Sequence, residues 1–129
     1  MGTRVKFKTT DGLNSTSATM TGITAVNGPM TGNLTIMGAL DMDLSTSNYF
    51  TKTINGNSTF TFSNIPLTGT VIGWTLELTH TSGTPTWPAS VIWPNNNTVP
   101  TFTAAKRSLV SFITRDGGTT VFGSVIPNY

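Results

Sequence analysis

An all-β fold, arranged as an antiparallel β-sandwich, is predicted by three observations. Threonine supplies 27 of the 129 residues, and a side chain branched at Cβ suits a pleated, half-wet surface better than a helix. Apolar and polar residues alternate with period two through the second half of the chain, as in Ile72, Trp74, Leu76 and Leu78 against Thr75, Glu77 and Thr79. Clusters of Gly, Pro, Asn and Asp separate these runs at the short spacing expected of a sandwich or barrel.

In chain order, residues 1–47 come first and hold all five methionines and no tryptophan. That is too little bulk for an independent core, so this part is expected to form an extended N-terminal β arm that serves oligomerisation and attachment. Arg4, Lys6 and Lys8 alternate with Val5 and Phe7 and make a candidate attachment strand. Met20-Thr-Gly22 recurs as Met30-Thr-Gly32, a weak repeat suited to brief strands that hide their apolar side only against a neighbour. In a further strand Leu40, Met42 and Leu44 face one way and Asp41 and Asp43 the other. Opposite charges across paired strands contribute about 0.2–1 kcal/mol per pair, which would favour docking of this strand on the basic one.

Residues 48–129 carry the three tryptophans and are assigned to a C-terminal β-sandwich head. Strands are expected at 49–54, 58–63, 70–80, 90–93, 108–114 and 119–126. Asn55-Gly-Asn57, Ser82-Gly83 and Asp116-Gly-Gly118 punctuate them, and Asp116-Gly117 between alternating runs signals a hairpin. Phe60 and Phe62 should join the core face of 72–78, with either Val110 and Phe112 or Leu109 and Ile113 completing it.

Two Trp-Pro steps, Trp87-Pro88 and Trp93-Pro94, flank a short apolar run. Proline withholds a backbone donor and fixes φ, so each step should end or edge a strand while the indole packs over the end of the sandwich. The competing reading is a surface-recognition patch of Trp87 and Trp93, whose rings can stack on sugars, with the polar tip Asn95-Asn96-Asn97 beside them.

Charged residues make up only 9% of the chain and the net charge is +2. Apart from Arg4, Lys6 and Lys8 no basic cluster exists, so nucleic acid is not an expected partner. No apolar run approaches the ~18 residues of a membrane span, so membrane insertion is not expected either. Cysteine is absent, which removes disulfides, thiolate catalysis and cysteine-based metal sites. The single histidine, His80, has no nucleophile or carboxylate in a recognisable relation to it. Asp41 and Asp43 lack the further oxygen ligands of a calcium loop. No catalytic, cofactor or metal residues are assigned, and a non-enzymatic protein is expected.

Four segments, 49–64, Gly73-Trp-Thr-Leu-Glu-Leu-Thr-His80, Trp87-Pro-Ala-Ser-Val-Ile-Trp-Pro94 and Thr114-Arg-Asp-Gly-Gly-Thr119, resemble a module of tailed-bacteriophage virion structural proteins, notably the C-termini of tail fibres. Thr9-Thr-Asp-Gly-Leu13, Met20-Thr-Gly22 and Met30-Thr-Gly-Asn-Leu-Thr-Ile36 are similar to fibre-shaft segments of the same proteins. The resemblance implies a jelly-roll-like head, a homotrimer and a location on the phage particle surface. Its implied partners are other virion proteins, at the tail or baseplate or on the major capsid protein; a host-surface glycan is a further expected partner of the head. With an arm this short, the expectation is a trimeric tail-fibre or appendage component that attaches through its N-terminal segment. The alternatives are a capsid decoration protein that stabilises the phage head and, from a different class, a carbohydrate-binding module.

Overall fold

Alternation along the chain fixes the centre of the fold. In the computed structural model, which describes residues 31–129, the longest alternating run forms an eleven-residue strand, Ile72–Ser82, with Trp74, Leu76, Leu78 and His80 buried on one face. Numbered along the chain, the strands are β1 (Leu34–Ile36), β2 (Asp41–Asp43), β3 (Tyr49–Asn55), β4 (Ser58–Thr59), β5 (Thr61–Ser63), β6 (Ile72–Ser82), β7 (Pro85–Thr86), β8 (Val91–Ile92), β9 (Lys106–Thr114) and β10 (Val121–Ile126). Six of them form the main sheet in the order β1-β3-β6-β9-β10-β8, while β2 pairs with β5 and β4 with β7.

The described residues are all-β, but the expected antiparallel pairing is corrected to a mixed one. β6–β9 and β9–β10 are antiparallel, whereas β1–β3, β3–β6, β8–β10, β2–β5 and β4–β7 are all parallel. The physical reason is that a period-two pattern reports which face a residue occupies and is silent on strand direction. Asp116-Gly117 does join β9 to β10 as a hairpin. Asn55-Gly56 instead leads the chain out of the main sheet into β4, which pairs with β7.

The stretch expected as one strand over 58–63 changes partner at Phe60. Its N–H donates to the Thr86 carbonyl at 2.9 Å, and the next N–H, that of Thr61, donates to the Leu40 carbonyl at 3.1 Å. Phe60 is thereby turned into the core, where its ring stacks on Trp87 with centroids 4.9 Å apart.

One face of the main sheet supplies Phe50, Ile54, Trp74, Leu76, Leu78, Val110, Phe112 and Val121 to the core. Val110 and Phe112, rather than Leu109 and Ile113, are the inward pair on β9. Phe62 from β5 meets Trp74 and Phe112 edge-on, each at 5.0 Å. Met37 and Met42 are buried in the same core, so β1 and β2, which the sequence reading assigns to the arm, pack with the head strands in one unit spanning Thr31–Tyr129. As expected, Met42 points inward with Leu40 and Leu44 packed against the core, and Asp41 and Asp43 lie on the other side. Arg4, Lys6, Lys8 and the repeat at Met20 lie outside the described residues.

Candidate functional site

The Trp-Pro segment is held by aromatic packing and by one unusual turn. Trp93 is 4% exposed, and its ring meets Trp87 edge-on at 5.6 Å and Phe112 at 6.0 Å. Its six-membered ring lies over Gly123 of β10, where a Cβ would come within 2.7 Å of Cζ3. Trp93 is thus chiefly a packing residue whose remaining edge lines the clefts shared with Trp87 and Asn95: glycine on the neighbouring strand opens a slot, and burying an indole there removes most of its apolar area from water.

Trp87 is half-buried between Phe60, Phe112 and Phe102, at 4.9, 5.5 and 6.1 Å. It also lines a cleft of about 380 Å³ with Pro85, Pro88, Val91, Asn97 and Val99. Its Nε1 is buried without a hydrogen-bond partner among the described residues, so the indole offers the cleft only part of its apolar ring and no donor.

Beyond Trp93 the chain makes a left-handed turn. Asn95, Asn96 and Asn97 take φ of 54°, 59° and 58°, a region asparagine tolerates better than most residues because its short amide can bond locally. Here Asn97 Oδ1 accepts from the Trp93 N–H at 2.9 Å, and Thr98 Oγ1 donates to the Asn95 carbonyl at 2.6 Å. All three asparagines are exposed. Asn97 lines the Trp87 cleft and Asn95 a neighbouring one with Trp93, and this exposed tip is the most accessible part of the sequence-derived patch.

The remaining polar residues are tied into the fold. His80 is buried, and one ring nitrogen, Nε2, lies 2.7 Å from the Gly83 carbonyl, so Nε2–H donates there, while Nδ1 is buried with no partner among the described residues. Asp41 accepts from the hydroxyls of Thr61 at 2.7 Å and Ser63 at 2.5 Å, which ties β2 to β5. Asp43 organises the turn after β2: the Ser45 hydroxyl, the Asn64 amide and the Ser45 N–H all donate to it, and together they hold its carboxyl below the ordinary 3.8. Asp116 does the same for the β9–β10 hairpin, its carboxyl lowered chiefly by the Thr120 N–H and then by the hydroxyls of Thr120 and Thr114. Among the described residues no three His, Cys, Asp or Glu side chains converge, and no helix is long and apolar enough to cross a membrane.

The opposite face of the main sheet is a feature that the reading of the sequence missed. The Tyr49 hydroxyl donates to Glu77 at 2.9 Å, which raises the tyrosine pKa, and Arg107 Nε pairs with the same carboxylate at 3.0 Å. Around this network the face is threonine, serine and exposed apolar residues, among them Ile113, Phe122, Ile126 and Ile36. Its signal in the sequence is that strands 106–114 and 121–126 are apolar on both alternating sets, which is why the inward pair on β9 could not be chosen from the pattern.

No family model, curated protein or solved structure matches the chain.

Proposed function

We propose that this chain is a non-enzymatic structural component of a tailed-bacteriophage particle, a short trimeric tail-fibre or appendage protein that attaches through its N-terminal segment and presents residues 31–129 outward as a head. In this reading the head is built in two β layers, and the exposed Asn95-Asn96 tip beside Trp87 contacts a host-surface glycan. The reading is supported by the sequence segments that resemble tail-fibre modules, which fall on β3 to β5, β6, the Trp-Pro segment and the β9–β10 hairpin. The observation that carries it is this placement on the strands and turns of an all-β unit, in which His80, Asp41, Asp43 and Asp116 each help hold a strand or turn. Three weak glycan contacts on one rigid trimer gain orders of magnitude in avidity with no new contact type.

The test is the position and copy number of the protein on purified particles, by cryo-electron microscopy. Copies in multiples of three at the tail are expected. A regular lattice over the head would turn the reading to a capsid decoration protein, and absence from the particle would end both. Deletion of residues 1–30 should abolish incorporation while the head stays soluble, and normal incorporation of that truncation would refute attachment through the N-terminal segment.

A further inference from the structure

We propose that the outer face of the six-stranded sheet is a self-association surface, covered in the assembled protein by further copies of this chain. The proposal rests on the trimeric reading above and assigns the residues that hold the copies together.

The face is apolar at both margins. Ile92, Phe122 and Ile113 stand directly opposite one another across β8, β10 and β9. The row ends at Gly73 of β6, which adds no side chain. Phe122 is 51% and Ile113 48% exposed; Ile126 on β10 and Ile36 on the far edge strand β1 are exposed as well, Ile36 at 80%. Paired large apolar residues on consecutive strands form a continuous stripe, unlike the singly scattered apolar residues normal for a surface. No described residue covers it.

Charge and size select the occupant. Glu77 and Arg107 point outward from the main sheet and neutralise each other at 3.0 Å, and Lys52, which lines a cleft with them, donates its ammonium to the Met37 and Gly38 carbonyls at the β1 margin. A nucleic acid or an anionic membrane would require uncompensated basic groups on the face. Between the apolar margins runs a belt of hydroxyls, including Thr75 and Ser111, whose oxygens lie 3.5 Å apart. A hydroxyl both donates and accepts, so such a belt can pair with whichever part of another copy's face a threefold arrangement brings against it. Strands spaced by about 4.8 Å and alternate residues by about 6.7 Å give a footprint near 500 Å². With side-chain relief that approaches the roughly 800 Å² per partner of a stable interface.

The test is sedimentation of the full chain at micromolar concentration. In the double variant Ile113→Lys/Phe122→Glu, the new charges sit directly opposite one another, where they favour the free sheet but resist burial between copies. Self-association is expected to weaken by roughly 30-fold or more, the scale of a hot-spot residue, with the near-ultraviolet signal of the buried tryptophans retained. Leu67→Glu, at a residue 84% exposed on a loop outside this face, should leave association unchanged. Should the double variant unfold, Ser124→Arg decides instead, because it places a large cation on the same face at an exposed position. A multimeric parent whose folded face variant is equally multimeric overturns the assignment of the face and leaves the trimeric reading standing. A parent that is a single copy overturns both.

Discussion

Replacing Gly123 by alanine separates two opposing effects of known sign. Alanine in place of a glycine at negative φ restricts the unfolded chain and stabilises by about 0.4–1 kcal/mol. In this protein the new Cβ would lie 2.7, 2.9 and 3.0 Å from Cζ3, Cε3 and Cη2 of Trp93, where carbon pairs prefer about 3.5–4.0 Å. The indole must therefore retreat by roughly 0.8 Å against Trp87 and Phe112, and overpacking of this kind costs about 1–3 kcal/mol. The net expectation is a loss of about 0.5–2 kcal/mol. Equilibrium denaturation followed by tryptophan fluorescence, at one fixed protein concentration because association adds to apparent stability, measures it. A double-mutant cycle with Trp93→Leu isolates the contact: without the ring, Gly123→Ala should become neutral or stabilising. Stability of the Gly123→Ala protein equal to or above that of the parent would refute the claim that Trp93 is a core residue seated in a glycine slot.

Other expectations concern turns and pH. Gly83 has φ of 86°, and a Cβ there would fall 2.0 Å from the Gly56 carbonyl carbon; Gly83→Ala should lower stability by about 2–4 kcal/mol in the same denaturation assay. At the asparagine turn, Asn96→Gly keeps the left-handed backbone and should leave stability within about 0.5 kcal/mol, whereas Asn96→Ala should cost about 1 kcal/mol. Asn96→Gly on a folded head should also weaken binding on a glycan array, and unchanged binding would remove the tip from the proposed receptor contact. Asp43 and Asp116 have carboxyls lowered below 3.8 in the folded chain. Their contribution is therefore complete above that value and is lost as pH falls through the lowered folded values. Acid titration of stability should steepen below pH 3.8, and Asp116→Asn should flatten that limb; an unaltered acid limb would show that the hairpin does not depend on this carboxylate.

How much was legible in the sequence depended on the kind of signal. Core faces with one apolar set were readable: Trp74, Leu76 and Leu78 point inward as the alternation requires. Strand direction was not, because parallel and antiparallel neighbours bury the same alternating set. The Asn55-Gly56 turn illustrates the limit, since its backbone preference is local while the partner of β4 is Pro85–Thr86, far along the chain. Phe60 was legible as core, but the change of partner on either side of it depends on hydrogen bonds to Thr86 and Leu40. At the candidate patch, Trp87 and Trp93 looked alike; Gly123, thirty residues beyond Trp93, sends one of them inward, and only the fold brings the two together. The outer face was hidden because Leu109 and Ile113 are as apolar as Val110 and Phe112, and only the fold shows which pair is buried.

Hydroxyl-radical footprinting of the full chain over a dilution series measures directly whether the outer sheet face is the surface through which copies of this chain associate while Trp93 stays in the core. Trp93 is expected to stay protected at every concentration, while Phe122 passes from protected to reactive as the copies separate. Phe122 equally reactive throughout, or Trp93 oxidised as readily as a free indole, would contradict it.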